Sequence, residues 1–97
     1  MTDSPRVSVI LVNYKGVKDT LSAIDTLMGL PEYPGNLEIV VVDNASGDGS
    51  LEALRARGED IVVVTSPANS GFAGGCNLGV MNSSGEIVAF LNNDAKP

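Results

Sequence analysis

Four short apolar runs recur along the chain, separated by longer segments of mixed polarity. They cover residues 7–12, 37–42, 61–64 and 87–91. Each run is rich in β-branched residues and almost continuously apolar, and Gly, Pro, Asn or Asp residues bound it. Continuous apolar runs of this length are typical of strands that are covered on both faces of a sheet. The sequence therefore predicts four buried strands.

Helical periodicity occupies the segments between the runs. The first segment carries an apolar stripe at positions i, i+4, i+7 and i+11, formed by Val17, Leu21, Ile24 and Met28. A shorter helix with Leu51 and Leu54 begins at Gly49 and Ser50 and ends at Gly58. The third segment, 71–84, is less regular, because each of its glycines lowers helix propensity by about 1 kcal/mol relative to Ala. It still has the length of a crossover.

The order of these elements, β-α-β-α-β-α-β, predicts the fold class. Strands that alternate with helices in this way form an α/β fold with a doubly wound, mainly parallel sheet and right-handed crossovers. At 97 residues the chain is one small domain or part of a larger one.

Composition excludes several classes of function. The chain has 12 acidic and 6 basic residues and a net charge of −6, and its basic residues are scattered, so we expect no nucleic-acid partner. One cysteine and no histidine exclude an intrachain disulfide and zinc sites built on Cys and His. No apolar run reaches the roughly 18 residues that span a bilayer. We expect a cytoplasmic, reducing location, although the full-length form could contact a membrane.

Polar residues follow each apolar run, at the edge where open α/β sheets bind their ligands. These segments are Asn13-Tyr14-Lys15, Asp43-Asn44-Ala45-Ser46, Ser66-Pro67-Ala68-Asn69 and Asn92-Asn93-Asp94. Asp43 taken alone is more often a turn or helix cap than a ligand contact. However, Ser46 or Asp48 could serve as the cap. This surplus of turn-forming residues favours Asp43 as a ligand contact whose side chain stays free.

Two further features each have two interpretations. The glycines of residues 69–77 either let a helix pack close to the sheet or let the backbone approach a sugar or phosphate. They follow the third run and not the first, which disfavours a Rossmann-type oxidoreductase. Asp94 is either a turn cap or a ligand of Mg²⁺ or Mn²⁺, which would keep several waters and bind a diphosphate.

In this order and spacing, the motifs resemble those of a known family. They are VSVILVNYKG, EIVVVDNASGDGS, NSGFAGGCNLG and VAFLNND. The chain resembles the N-terminal, nucleotide-sugar-binding half of inverting family 2 glycosyltransferases with the GT-A fold. The wording of the last two motifs is most similar to rhamnosyl- and galactofuranosyl-transferase-like members that build bacterial cell-wall polysaccharides.

The resemblance implies roles for individual residues. Val12 and Tyr14 would line a pyrimidine pocket, and Asp43 would accept a hydrogen bond from the base N3–H. The remaining nucleotide-sugar contacts would come from Asn13, Asn69, Gly71, Asn77, Asn92 and Asn93. Asp94 would bind Mn²⁺ or Mg²⁺, the donor would be a UDP- or dTDP-sugar, and the acceptor would be a glycan or a lipid-linked molecule. Two departures from the family pattern are Asn92, where the metal motif D-x-D begins with an acid, and Lys15, where asparagine is common.

The resemblance also predicts that residues 1–97 form a partial GT-A domain that stops after the metal motif. In the family, the chain continues into an acceptor-binding half that supplies the general base. We therefore expect no sugar transfer by this chain alone, and self-association through apolar surface that the missing elements would cover. A rival hypothesis is a non-catalytic binding or assembly module that dimerises through an exposed sheet edge or face.

Overall fold

The computed structural model describes residues 6–31, 33 and 35–92. Four strands and three α-helices alternate along this part of the chain, with a short 3₁₀ helix at Gly58–Asp60. The elements are β1 (Val7–Asn13), α1 (Val17–Met28), β2 (Leu37–Asp43), α2 (Ser50–Arg55), β3 (Val62–Thr65), α3 (Gly71–Met81) and β4 (Ile87–Asn92).

All four strands pair in parallel in the order β3-β2-β1-β4. The chain moves outward from β1 through β2 to β3 and then crosses back to place β4 on the other side of β1. The strand order therefore reverses between β1 and β4, which is the topological switch point of a doubly wound sheet. The predicted α/β class with a parallel sheet is confirmed.

The core lies on both faces of the two central strands. One face carries a buried cluster under α1 and α2, made of Leu11, Ile24, Ile39, Val41, Leu54 and Ile61. The other face carries Ile10, Val40 and Val42, which lie under α3. Burial on both faces explains why the runs of β1 and β2 are continuously apolar.

The outer strands are less covered than the sequence predicts. Val62 of β3 is 36% exposed, and Ile87 and Phe90 of β4 are 48% and 50% exposed. Both strands lie at the edges of the described sheet, while α3 packs mainly over β1 and β2. The expectation that all four strands are buried is therefore wrong for β3 and β4, because an apolar run does not reveal its place in the strand order.

The glycine-rich segment forms a regular helix, α3, in spite of its low helix propensity. Two of its buried glycines face the sheet: a Cβ on Gly75 would lie 2.7 Å from Cγ1 of Val12, and one on Gly79 would collide with Ile10. Contacts this short do not occur between real side chains, so these two positions have room only for glycine. The packing interpretation of the glycines therefore holds for Gly75 and Gly79.

A carboxylate fastens the opposite edge of the sheet. Glu38 of β2 accepts hydrogen bonds from the hydroxyl of Ser8 (2.7 Å) and from the backbone amide of Ser84 (2.9 Å), just before β4. The amide of Gly85 donates in turn to the Ser8 hydroxyl (2.8 Å). Partial burial raises the pKa of Glu38, but the hydrogen bonds from Ser84 and Ser8 and the charge of Arg6 outweigh it and hold this pKa below its usual value.

We predict that Glu38→Gln lowers the free energy of unfolding by about 1–2 kcal/mol at neutral pH, since it removes charged hydrogen bonds. A carboxyl whose pKa is lower in the folded chain stabilises above its unfolded pKa, and this contribution is lost as the pH falls through the folded value. The difference between wild type and variant should therefore shrink on acidification below the ordinary value of 4.5. Urea denaturation at a series of pH values measures it.

The matched control is Glu86→Gln, which alters an exposed carboxylate two residues from Ser84. This variant should unfold at nearly the same urea concentration as the wild type. Equal losses in the two variants, or a Glu38→Gln loss that does not depend on pH, would contradict the role given to Glu38.

Candidate functional site

The carboxyl ends of the strands meet at one edge of the sheet. Asn13 of β1 pairs in register with Asp43 of β2, and Asp43 pairs with Thr65 of β3. On the other side, Val12 pairs with Asn92 of β4. The loops that follow the strands therefore leave at the edge where α/β sheets bind ligands.

A cleft of about 460 Å³ opens at this edge, between the loops after β2 and β3. Its wall includes Asp43, the loop glycines Gly47 and Gly49, Glu52 of α2, and residues 65–67 after β3. This volume lies within the usual range for pockets that bind small molecules. The cleft is therefore a candidate binding site with the Asp43 carboxylate in its wall.

Asp43 is held through one oxygen and offers the other. The side chain is 5% exposed, and its Oδ1 atom accepts hydrogen bonds from Nδ2 of Asn13 (3.0 Å) and the hydroxyl of Ser46 (2.7 Å). No residue in the described part of the chain donates to Oδ2. Asp43 lines the cleft, so Oδ2 is available to accept a hydrogen bond there. The expectation that the whole side chain stays free is thus wrong for Oδ1.

Asp48, and not Ser46, accepts hydrogen bonds at the start of α2, whose N-cap position is Gly49 and has no side-chain cap. Asp48 accepts hydrogen bonds from the hydroxyl and the backbone amide (3.1 Å) of Ser50, the first residue of α2. Hydrogen bonds from the Ser50 hydroxyl and amide hold the pKa of Asp48 below its usual value. Ser46 bonds with Asp43 instead, whereas the surplus of turn-forming residues was expected to leave Asp43 free.

Asn13 lies behind Asp43 and does not face the cleft. Its side chain is fully buried, accepts a hydrogen bond from the hydroxyl of Thr20 (2.7 Å), and donates to Asp43 and to the oxygen of Ser46 (3.2 Å). The donor contact predicted for Asn13 stays a prediction, and in the structure its side chain bonds to Asp43 and Ser46. The reason is its register position beside Asp43, where a buried carboxylate needs a donor.

The two neighbours of Asn13 differ in accessibility. Val12 is 6% exposed and packs against Gly75 of α3, so its side chain lies under the helix instead of lining a pocket as predicted. Tyr14 is 45% exposed, and Nζ of Lys15 lies 5.4 Å from the centre of its ring. The residues predicted around the base are Val12, Tyr14 and Asp43. Among these three, only Tyr14 presents a surface on which a ligand could stack.

The backbone of this edge is strained at two residues that carry a Cβ. Lys15 has φ 56° and Ala45 has φ 62°, a region that side chains rarely occupy. The amide of Lys15 donates to the hydroxyl oxygen of Ser46 (2.8 Å). The loops after β1 and β2 are therefore joined to each other in uncommon conformations, which are concentrated at functional sites.

Asn44 joins the loop after β2 to the start of α3. Its buried carboxamide donates to the carbonyl of Gly71 (3.0 Å) and accepts from the amide of Ser70 (3.2 Å). Gly71 has φ 76°, which explains a glycine there without a ligand. The sequence interpretation missed this residue, although a second polar side chain directly after Asp43 was its signal.

The other predicted donor contacts are spread along this region. Asn69 is exposed, and its carboxamide oxygen accepts from the amide of Gly71 (3.0 Å). Asn77 is exposed on α3, about 9 Å further along the helix axis than Gly71 at 1.5 Å per residue. The backbone of Asn92 ends β4 beside Val12.

The predicted metal motif comprises Asn92, Asn93 and Asp94. Asn93 and Asp94 lie outside the described residues. Within 6–31, 33 and 35–92, no group of three or more His, Cys, Asp or Glu side chains could hold a metal ion. The helices of the same residues are all too short or too polar to cross a membrane.

Comparison with known proteins identifies the family. The model of Glycosyl transferase family 2 matches residues 8–97. An uncharacterized glycosyltransferase of Nostoc sp. (strain PCC 7120) is 34% identical over 92 residues, or 92% of this chain and 28% of that protein. Glycosyltransferase AglE of Haloferax volcanii is 29% identical over 96% of this chain and 32% of that protein.

Solved structures give the same result. A mannosyltransferase from Pyrobaculum calidifontis, solved in complex with GDP-Man and Mn²⁺, superposes with a TM-score of 0.85 at 31% identity, over 97% of this chain and 29% of its own. S. aureus TarS 1-349 superposes with a TM-score of 0.76 at 26% identity, over 92% of this chain and 27% of its own.

This chain spans less than a third of the length of the relatives and structures described above. None of those four proteins is named as a rhamnosyl- or galactofuranosyltransferase, so that finer likeness remains a prediction. The family match, in contrast, extends over nearly every residue, and the similar structures share the fold. The chain belongs to glycosyl transferase family 2.

Proposed function

We propose that this chain is the nucleotide-sugar-binding portion of an inverting glycosyltransferase, whose complete form transfers a sugar to a glycan or lipid-linked acceptor. The observation that carries the proposal is that Asp43 lines the cleft with Oδ1 held by buried donors, while Oδ2 has no donor among the described residues. The family supports the reaction class, and the mannosyltransferase with GDP-Man supports a nucleoside-diphosphate sugar as donor.

The chemistry of Asp43 restricts the base of this donor. A carboxylate oxygen accepts a hydrogen bond and donates none. Uracil and thymine present N3–H, and guanine presents N1–H, whereas cytosine and adenine have an acceptor nitrogen at the matching ring position. UDP- and dTDP-sugars therefore fit this site, and so do GDP-sugars. Tyr14, which is exposed beside Lys15, is the residue that we propose to stack on the base or ribose.

The diphosphate and sugar would be bound beyond the base. Asn69, Gly71 and Asn77 are the proposed contacts on the α3 side, and Asn92, Asn93 and Asp94 those after β4. The end of β4 lies at the same edge as Asp43, since Asn92 pairs with Val12 and Asn13 pairs with Asp43. Mn²⁺ or Mg²⁺ on Asp94 would offset the charge of the departing diphosphate. The Mn²⁺ of the mannosyltransferase complex supports a cation of this kind.

Exposed apolar side chains on α3 and β4 support a proposal about assembly. They are Phe72, Val80, Met81, Ile87, Phe90 and Leu91, all 37% to 80% exposed. The outer edge of β4 pairs with no strand among the described residues. Exposed edges and apolar patches of this kind bind further protein. We therefore propose that the 97-residue chain self-associates through β4.

For the base contact, we predict that Asp43→Ala weakens binding of the preferred nucleoside and of its diphosphate alike, by about 1–3 kcal/mol. The loss should not depend on metal, because an uncharged part of the ligand is contacted. Calorimetric titration of uridine, thymidine, guanosine and their diphosphates, with and without Mn²⁺, measures it. Glu52→Ala is the matched control, because Glu52 is another carboxylate in the wall of the cleft. Equal losses in both variants would show that Asp43 has no special role.

For the metal, we predict that Asp94→Ala abolishes the gain in diphosphate affinity on addition of Mn²⁺ and leaves nucleoside binding unchanged. Asp60→Ala, which alters an exposed carboxylate before β3 at the opposite edge, should retain the gain. Titration of each variant with the preferred diphosphate, with and without Mn²⁺, is the measurement. A wild-type chain that shows no such gain, together with unfolding of Asp94→Ala, would make Asp94 a turn cap.

For assembly, we predict that the wild-type chain is larger than a monomer by light scattering at about 100 µM. The double variant Ile87→Lys/Phe90→Lys should be monomeric, because charges on both faces of β4 oppose burial. Leu30→Lys alters an apolar residue of similar exposure, 40%, after α1 and should not change the size. A monomeric wild type, or dissociation by Leu30→Lys, would contradict association through β4.

A further inference from the structure

A buried polar chain leads from α1 to the candidate site. Thr20 of α1 is fully buried, and its hydroxyl lies 2.7 Å from Oδ1 of Asn13 and 3.2 Å from the carbonyl oxygen of Gly16. A hydroxyl has one proton to donate, and the amide oxygen is the closer acceptor. Asn13 then contacts Asp43, so Thr20 is two side chains away from the cleft.

The contacts with Thr20 and Asp43 together fix which way the carboxamide of Asn13 points. With its oxygen held by the Thr20 hydroxyl, the NH₂ group faces Oδ1 of Asp43 (3.0 Å) and the oxygen of Ser46 (3.2 Å). The reversed amide would bring its oxygen against the carboxylate, and two acceptors would meet in a buried place. Thr20 therefore favours the orientation that Asp43 requires.

Ser46 completes the set of donors on Asp43. Its oxygen accepts from the amide of Lys15 (2.8 Å) and from Asn13 (3.2 Å), so its own proton is directed to Oδ1 of Asp43 (2.7 Å). Oδ1 is thus bonded on two sides by groups that cannot reach the cleft. The positions of these two donors therefore fix the orientation of Oδ2.

We propose that Thr20 is a specificity-determining positioning residue, which acts through Asn13 to aim Oδ2 of Asp43 at the N–H of uracil, thymine or guanine. The proposal rests on the proposed function, since it takes the cleft to be the base-binding site. Thr20 itself touches no ligand. Its hydroxyl contributes to the difference in affinity between bases that donate a hydrogen bond at this ring position and bases that accept one there.

Removal of the hydroxyl should affect the two classes of base unequally. Thr20→Val keeps the shape of the side chain but leaves the amide oxygen of Asn13 without its buried donor. The carboxamide is then less well fixed, and so is the carboxylate that it orients. A base that donates to Oδ2 loses a well-directed hydrogen bond. A base that accepts at the same position has no such bond to lose.

The test compares nucleotides that share ribose and diphosphate. The affinity ratios of UDP to CDP and of GDP to ADP are measured by calorimetry on the 97-residue chain. We expect Thr20→Val to lower the ratio in the preferred pair by roughly tenfold, as for the loss of one hydrogen bond. Thr20→Ser, which keeps the hydroxyl, should retain the ratio. Thr26→Val makes the same change on the exposed side of α1, where the hydroxyl donates to the Ser22 carbonyl, and should also retain it.

The outcomes separate this inference from the proposed function. If Thr20→Val weakens both members of a pair equally, Thr20 is merely structural and the inference fails. A wild-type chain that binds nucleotides without preference also overturns the inference, whereas one that binds no nucleotide overturns the proposed function and the inference with it. If Thr20→Val does not fold by circular dichroism, Asn13→Ala must lower the ratio in its place, and an unchanged ratio there overturns the inference.

Discussion

The hydrogen bond between Asn13 and Asp43 joins the last positions of the two central strands, and the rest of the site depends on it. Two polar side chains buried next to each other must satisfy one another or find other partners, since an unpaired buried acceptor is costly. Thr20 and Ser46 supply those partners from α1 and from the loop after β2. One polar pair thus sets the positions of a helix and a loop around the cleft.

Most of the fold could be predicted from the sequence, because the two central strands, β1 and β2, are the ones whose apolar runs match their burial. Their apolar runs are continuous, and the structure buries both faces, as such runs require. The run of β4, residues 87–91, reads in the same way, yet Phe90 is half exposed. Composition reports that a strand is apolar, but the order of strands depends on contacts between residues that are far apart in the chain.

The edge of the sheet at which the candidate site lies could be predicted from the sequence, and so could the presence of Asp43 in it. Which side chains reach the cleft was not predictable, because successive side chains point to opposite faces of a strand. Val12 therefore turns under α3 and Asn13 turns toward α1, while Tyr14 lies beyond the strand and is exposed. A motif of consecutive residues suggests a shared contact, but the geometry of a strand separates its members. The link of Asn44 to Gly71 escaped for a related reason, as it joins loops 26 residues apart or more.

The close approach of α3 to the sheet has a mechanical consequence. Gly75 and Gly79 leave no gap between the helix and the side chains of Val12 and Ile10, so α3 cannot sink closer, and any added carbon would lift it. Its first turn is fastened to Asn44, directly after the carboxylate of the cleft. The spacing between this helix and the sheet is thus transmitted to the loop after β2, one residue from Asp43. Gly75 and Gly79 thereby act as spacers for the loop that begins beside the carboxylate of the cleft.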